Sequence, residues 1–136
     1  MQEVFTEGAR AALHVASEEA RVRRQQLGTP HLLLGLLDDE AGRSAGTLRS
    51  MGLSVSDVRA EALRKIGPVL RRVPRRFRPP RSERVEAVLA AAAADARNEG
   101  HEAVDAEHLL VALLADPEGK AARLLHRLRA RASSPS

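Results

Sequence analysis

The chain has no cysteine, no tryptophan and no tyrosine, and its only phenylalanines are Phe5 and Phe77. Without cysteine it forms no disulfide and offers no thiolate to a metal. Without large aromatic rings the interior must be assembled from leucine, valine and alanine, which suits closely packed helices. No apolar run reaches the ~18 residues that a membrane-spanning helix needs. The N-terminus lacks the charged-then-apolar pattern of a secretory signal, so a cytoplasmic location is the default expectation. No Gly-x-x-x-x-Gly-Lys-Ser/Thr phosphate loop occurs, which leaves no place for a P-loop ATPase module. Lysine is scarce as well: of 22 basic residues only Lys65 and Lys120 are lysines. Heavy arginine and alanine use is consistent with a GC-rich genome, such as an actinobacterium's.

What is present is a repeat. Thr29-Pro30-His31-Leu32-Leu33-Leu34-Gly35-Leu36-Leu37 returns as Ala106-Glu107-His108-Leu109-Leu110-Val111-Ala112-Leu113-Leu114. Upstream, Glu19-Ala20-Arg21 returns as Asp95-Ala96-Arg97; downstream, Gly42, Ala45 and Leu48 return as Gly119, Ala122 and Leu125. One helical unit used twice in a single packed body is expected. A length of 136 residues, 43% of them apolar, fits one domain with a modest core.

Apolar spacing and capping residues place the helices. Thr6 caps a helix reaching to about Arg24, with Ala9, Leu13, Ala16 and Ala20 on one face. Thr29 caps the next, with Pro30 in its first turn and Leu32, Leu33, Leu36 and Leu37 apolar. A short helix from about Arg43 to Arg49 ends at Met51-Gly52. Ser54 starts a fourth, with Val55, Val58, Ala62, Leu63 and Ile66 apolar, stopped by Gly67-Pro68. In the second unit Ser82 caps a helix through Val85, Val88, Leu89, Ala92 and Ala96. Asp105 or Ala106 begins the next, and Pro117 precedes a last one carrying Ala121, Leu124, Leu125 and Leu128. The predicted fold is all-α with about seven helices, the second unit being one short. The expected boundaries are repeat one at 3–67, an Arg/Pro-rich linker at 68–81 and repeat two at 82–130. These make one domain over 1–132, and a disordered tail is expected at 131–136.

These motifs carry a family resemblance. Phe5-Thr6-Glu7, Glu18-Glu19-Ala20, Gly28 through Leu37, Met51-Gly52-Leu53, Ala96-Arg97, Gly100-His101 and Glu107-His108-Leu109-Leu110 resemble the N-terminal domain of ClpA/ClpC-type AAA+ unfoldases. That domain consists of two pseudo-symmetric Clp repeats. The resemblance implies a non-catalytic protein- or peptide-binding module whose partners are Clp unfoldase subunits, adaptors or client proteins. Such a module acts as an adaptor or as a decoy of the unfoldase's own N-domain. The polar ending and the missing last helix favour a natural short protein over a piece of a longer one. No cofactor is implied.

In ClpC-like relatives each repeat can hold a phosphorylated arginine, which needs a phosphate half and a carboxylate half. By this resemblance Thr6 and Arg10 serve the phosphate in the first repeat, where Pro30 replaces the carboxylate. In the second, Ser82 and Glu107 match, with Arg84 nearby and Glu86 where relatives carry a cation. A carboxylate beside a phosphate repels it, so the sequence speaks against phosphoarginine. Glu107 also has a plain role as a first-turn carboxylate favoured by the helix dipole. Phe5 is either an apolar anchor for a ligand or a core residue sealing the first helix, and Phe77 is a second candidate anchor.

His31 and His108 occupy equivalent positions early in equivalent helices, which suggests a structural hydrogen bond across the turn. His101, Asp105 and His108 lack any standard metal spacing, so no metal site is expected. His14 and Ser17 share a helix without any mark of an activated serine, and no catalytic residue is expected.

Arg71, Arg72, Arg75, Arg76 and Arg78 crowd the linker among prolines, which excludes a regular helix. They read as a solvated segment, paired with Glu18, Glu19 and Glu61, or as a dock for an acidic partner. An alternative function is nucleic-acid binding through phosphate contacts. Against it stand the lack of a recognition-helix signature and of stacking aromatics other than Phe77.

Overall fold

The computed structural model describes residues 4–39 and 41–133. Among the described residues seven helices follow one another: α1 (Glu7–Arg21), α2 (Thr29–Leu36), α3 (Arg43–Ser50), α4 (Val55–Ile66), α5 (Glu83–Asn98), α6 (Ala106–Ala115) and α7 (Lys120–Ser133). The described residues include no extended strand, only two isolated β-bridges.

Local chemistry accounts for the helix ends. Side-chain oxygens of Thr6, Ser54 and Ser82 accept the N–H groups of Ala9, Asp57 and Val85, capping α1, α4 and α5. Helices α2 and α6 use the repeated histidine instead. Gly28 N–H donates to His31 Nδ1 at 2.9 Å and Asp105 N–H donates to His108 Nδ1 at 2.9 Å. The cap of α2 is thus Gly28 and not Thr29. The Thr29 hydroxyl is drawn to the second repeat, where it accepts the buried Ala121 N–H at 3.1 Å.

Helix α1 stops at Arg21, short of the expected Arg24. Arg24 takes a left-handed φ of 53°, and Gln25 N–H returns to Ala20 C=O at 2.9 Å. Gly100, φ 77°, closes α5 in the same way through His101 N–H and Ala96 C=O. The turn is the glycine-type helix stop, made in the first repeat by an arginine. At the other end of the chain α7 runs to Ser133, into the segment expected to be disordered. Arginine and alanine through Ala132 are strong helix formers; residues 134–136 lie outside the described residues.

Helix α2 is buried on every side, all of its residues included. It touches α1, α4, α5, α6 and α7. Helix α6 buries His108, Leu109, Leu110, Ala112 and Leu113 but leaves Val111 51% exposed. Leu63, one of the apolar residues of α4, is 36% exposed. The alanine face of α1 (Ala9, Ala12, Ala16, Ala20) is fully covered. Its approach to α2 depends on Gly35, where a Cβ would stand 2.0 Å from the Ala12 carbonyl oxygen. In the second repeat Ala112 replaces Gly35, and Val85 and Val88 replace Ala9 and Ala12. That pair of helices trades backbone proximity for side-chain volume.

The repeats are joined by a reciprocal exchange. The segment before α1 pairs with the segment before α6, and the segment before α5 pairs with the segment before α2. Val104 N–H donates to Val4 C=O and Thr6 N–H donates to Val104 C=O, at 2.8 and 2.9 Å. Leu27 N–H donates to Pro80 C=O and Ser82 N–H to Leu27 C=O, at the same two distances. The match between the two pairings is the mark of an approximate two-fold axis.

Two outcomes follow. Gly35→Ala forces α1 off α2 and should cost about 3 kcal/mol or more, since no flexible side chain can yield. Gly46→Ala on α3 meets nothing within 4 Å and should stabilise by roughly 0.5–1 kcal/mol. Urea denaturation of both variants checks the contrast. Burial, with the Arg23 charge second, pushes the His31 imidazole down from 6.5 to about 4. The native state keeps it neutral while the unfolded chain binds a proton, so stability is lost as pH falls from about 6.5 to about 4. His31→Gln keeps an acceptor at the third helical position and removes the titration. The slope of urea midpoint against pH should flatten across that window, and an unchanged slope would exclude His31 as its source.

Candidate functional site

The reciprocal exchange builds two related clefts, each with one wall from each repeat. Cleft one, about 690 Å³, lies between Thr6 at the start of α1, the end of α5, the loop 99–105 and the start of α6. Cleft two, about 370 Å³, lies between Ser82 at the start of α5, the turn 25–28, the start of α2 and the start of α7.

This corrects the sequence-based pairing of residues. Ser82 and Glu107 do not share a site, and neither do Thr6 and Pro30. Thr6 faces Glu107 across cleft one, and Ser82 faces Pro30 across cleft two. The reason is the crossed pairing of Phe5 with Val104 and of Leu27 with Arg81, which swaps the capping segments between repeats.

The clefts carry opposite charge. Cleft one is lined by the carboxylates Asp95, Glu99, Glu102, Asp105 and Glu107, with Arg43 as the cation in its lining. Cleft two is lined by Lys65, Arg84 and Lys120 against Glu118. In cleft one the Thr6 hydroxyl donates to Asp105 Oδ1 at 3.0 Å, so its proton is committed to a carboxylate. The Thr47 hydroxyl donates to Glu107 Oε1 at 3.0 Å, holding Glu107 from repeat one. In cleft two Arg84 reaches Asp116 at 3.1 Å and Glu118 at 3.2 Å. Arg10 is exposed on α1 and lies outside the lining of both clefts.

The histidines behave as helix-start brackets. His31 Nδ1 accepts from Gly28, so Nε2 carries the proton and donates to Gln25 Oε1 at 2.8 Å. His108 repeats this, with its Nε2 at 3.2 Å from Glu99 Oε2. The His101 ring meets His108 edge-on at 5.1 Å. Glu99, His101 and His108 thus gather potential ligand atoms within 4.8 Å, a proximity that the spacing along the chain did not suggest. A metal needs a lone pair on Nε2 of His108. The Asp105 N–H occupies Nδ1 and leaves a proton on Nε2, so the donor set does not fit a metal.

The remaining candidates are placed as follows. Phe5 is half-buried, bridges to Val104 and packs against the core. Phe77 lies under the Arg24 guanidinium, 5.9 Å from the ring centre, which occupies one face of the ring. Arg71, Arg72, Arg75, Arg76 and Arg78 are all exposed. They do not pair with the expected carboxylates: Glu18 binds Arg21, Glu19 binds Arg23 and Glu61 binds Arg64. Each of these partners lies within one turn of the same helix or just past its end, where local geometry favours it over a distant loop. The Arg21 and Arg64 guanidinia hold the carboxyls of Glu18 and Glu61 below the usual carboxylate range.

Sequence reasoning missed Asp95, Glu99, Glu102, Arg43 and Thr47 as site residues. The one available signal was the density of acids between Asp95 and Glu107. Arg43 and Thr47 gave none, because α3 meets α6 only in the fold. Among the described residues no helix is long and apolar enough to cross a membrane.

Comparison with known proteins supplies the family. The Clp repeat (R) N-terminal domain matches residues 4–128. The chain is 39% identical over 135 residues to the chloroplastic chaperone protein ClpC of Pisum sativum, covering 96% of this chain and 14% of that protein. It is 37% identical over 125 residues to the chaperone protein ClpB of Oceanobacillus iheyensis, covering 91% of this chain and 15% of that one. Among solved structures, the N-terminal domain of the ClpD chaperone from Arabidopsis thaliana superposes with a TM-score of 0.68 at 28% identity, covering 94% of this chain and 91% of that domain. The chain therefore belongs to the Clp repeat N-terminal domain family.

Proposed function

We propose that this chain is a non-catalytic binding module of Clp unfoldase systems that receives protein segments in cleft one. It would work as an adaptor, or as a decoy that competes with an unfoldase's own N-domain for the same segments. What supports the reading is the charge of that cleft: five lining carboxylates against one lining arginine. The exposed Val111 adds an apolar contact at its wall. Such a lining suits an extended segment carrying arginine or lysine beside an aliphatic residue.

The same lining counts against phosphoarginine. Thr6 and Glu107 do share cleft one, but the Thr6 proton is bound to Asp105 and the surrounding charge is negative. In cleft two Pro30 offers the guanidinium nothing, and Arg84 already has two carboxylate partners.

Fluorescence anisotropy with matched peptides tests this. An arginine-containing peptide should bind more tightly than its phosphoarginine twin. Glu102→Ala with Glu107→Ala should weaken the arginine peptide about tenfold, as expected for loss of charge-assisted contacts. A preference for the phosphorylated peptide, or indifference to both substitutions, rejects cleft one as the site. Affinity capture of Clp subunits and their clients by the intact chain, with Glu107→Ala beside it, addresses the adaptor and decoy roles.

A further inference from the structure

Half of the basic residues occupy two stretches that contain no acid. Arg71, Arg72, Arg75, Arg76, Arg78 and Arg81 lie between Ile66 and Ser82, and Lys120, Arg123, Arg127, Arg129 and Arg131 lie on α7. The rest of the chain holds 11 cations against 18 acids. The molecule is therefore electrically divided, and the first basic stretch is not loose. Leu70 N–H donates to Val22 C=O at 2.9 Å, Phe77 N–H closes a turn onto Pro74 C=O at 3.0 Å, and Pro80 C=O accepts Leu27 N–H at 2.8 Å. Arg24 lies over Phe77.

This anchored loop displays Val69 at 57% and Leu70 at 46% exposure, directly before Arg71 and Arg72. Two aliphatic side chains next to exposed guanidinia that have no ion-pair partner among the described residues suit a protein surface better than a phosphate backbone, which has no use for them. Cleft one has the complementary composition, carboxylates beside the exposed Val111.

The loop cannot reach cleft one of its own chain. It is tied to Val22, Arg24 and Leu27, beyond the end of α1, whereas cleft one begins at Thr6, before its start. A helix of 15 residues separates them by about 22 Å at 1.5 Å per residue.

We propose that the Val69–Arg76 loop docks into cleft one of a second copy of this chain, head to tail. The contact joins unlike surfaces, so it grows by addition of further copies and is controlled by salt. The inference rests on the reading of cleft one as a segment-binding site and adds its regulation: a copy whose cleft holds a neighbour's loop cannot hold a client.

Sedimentation velocity of the intact chain over a range of concentrations tests it. At about 0.01 M salt, where charges act over ~30 Å, the mass should rise above the 14.7 kDa of one chain. It should return to that value at about 1 M salt, where the range is ~3 Å. Arg71→Glu with Arg72→Glu reverses the loop, and Asp95→Arg with Glu102→Arg reverses the cleft; each should weaken association about tenfold or more. Mixed together, the two variants offer each other a basic loop for the acidic cleft and an acidic loop for the basic cleft, so the association that each alone has lost should return in the mixture. The loop-reversed variant should still bind the arginine peptide, which separates failure of docking from failure of the cleft. A wild type that stays monomeric at low salt overturns the proposal, as does association that survives reversal of the loop. Tight binding of a DNA duplex by a monomeric wild type also overturns it and assigns the loop to a phosphate backbone.

Discussion

The crossed pairing of the segments that precede α1 and α5 is the constraint on which the rest of the structure depends. Four backbone hydrogen bonds, two at each end of an approximate two-fold axis, fasten Val4 and Thr6 to Val104 and Pro80 and Ser82 to Leu27. Paired backbone groups cannot shift by less than a full register without leaving donors orphaned. The capping residue of each repeat's first helix is thereby fixed against the second helix of the other repeat. Each cleft exists because of that exchange, and neither repeat alone contains one.

Burial of the two leucine helices backs the exchange. Helix α2 has no exposed face, and it lies close against the alanine surface of α1, with Gly35 at the Ala12 carbonyl. The Thr29 hydroxyl, drawn to Ala121 N–H, ties α2 to the start of α7. The histidines serve the same end. Each gives one ring nitrogen to an orphan N–H at its helix start and the other to a neighbouring side chain. Their repetition is a consequence of this bracket, and a bracket of this kind leaves no lone pair for a metal.

Duplication has left the geometry of the clefts alike and their chemistry opposed. Cleft one gathered acids from the end of α5 and the start of α6, while cleft two has Lys65, Arg84 and Lys120. A matched pair of sites thus became an electrostatic pair, and the arginines between the repeats fell on the positive side of the molecule. Charge of this kind governs which partner approaches and in what orientation more than it governs how tightly the partner holds.

The all-helical fold, the seven helices and the repeat were legible in the chain, because the apolar period, the caps Thr6, Ser54 and Ser82, and the stops at Gly52 and Gly67 act within a few residues of themselves. The bracketing role of His31 and His108 was legible for the same reason, since each bonds three residues back. The cap of α2 was misread at Thr29 because its hydroxyl answers to Ala121, a distant residue in the sequence. The partners of Thr6 and Ser82 were misassigned because a crossed β-bridge leaves no periodic trace in either repeat. Which half of one repeat faces which half of the other is decided by long-range backbone pairing and core volume, and only the tertiary structure holds that information.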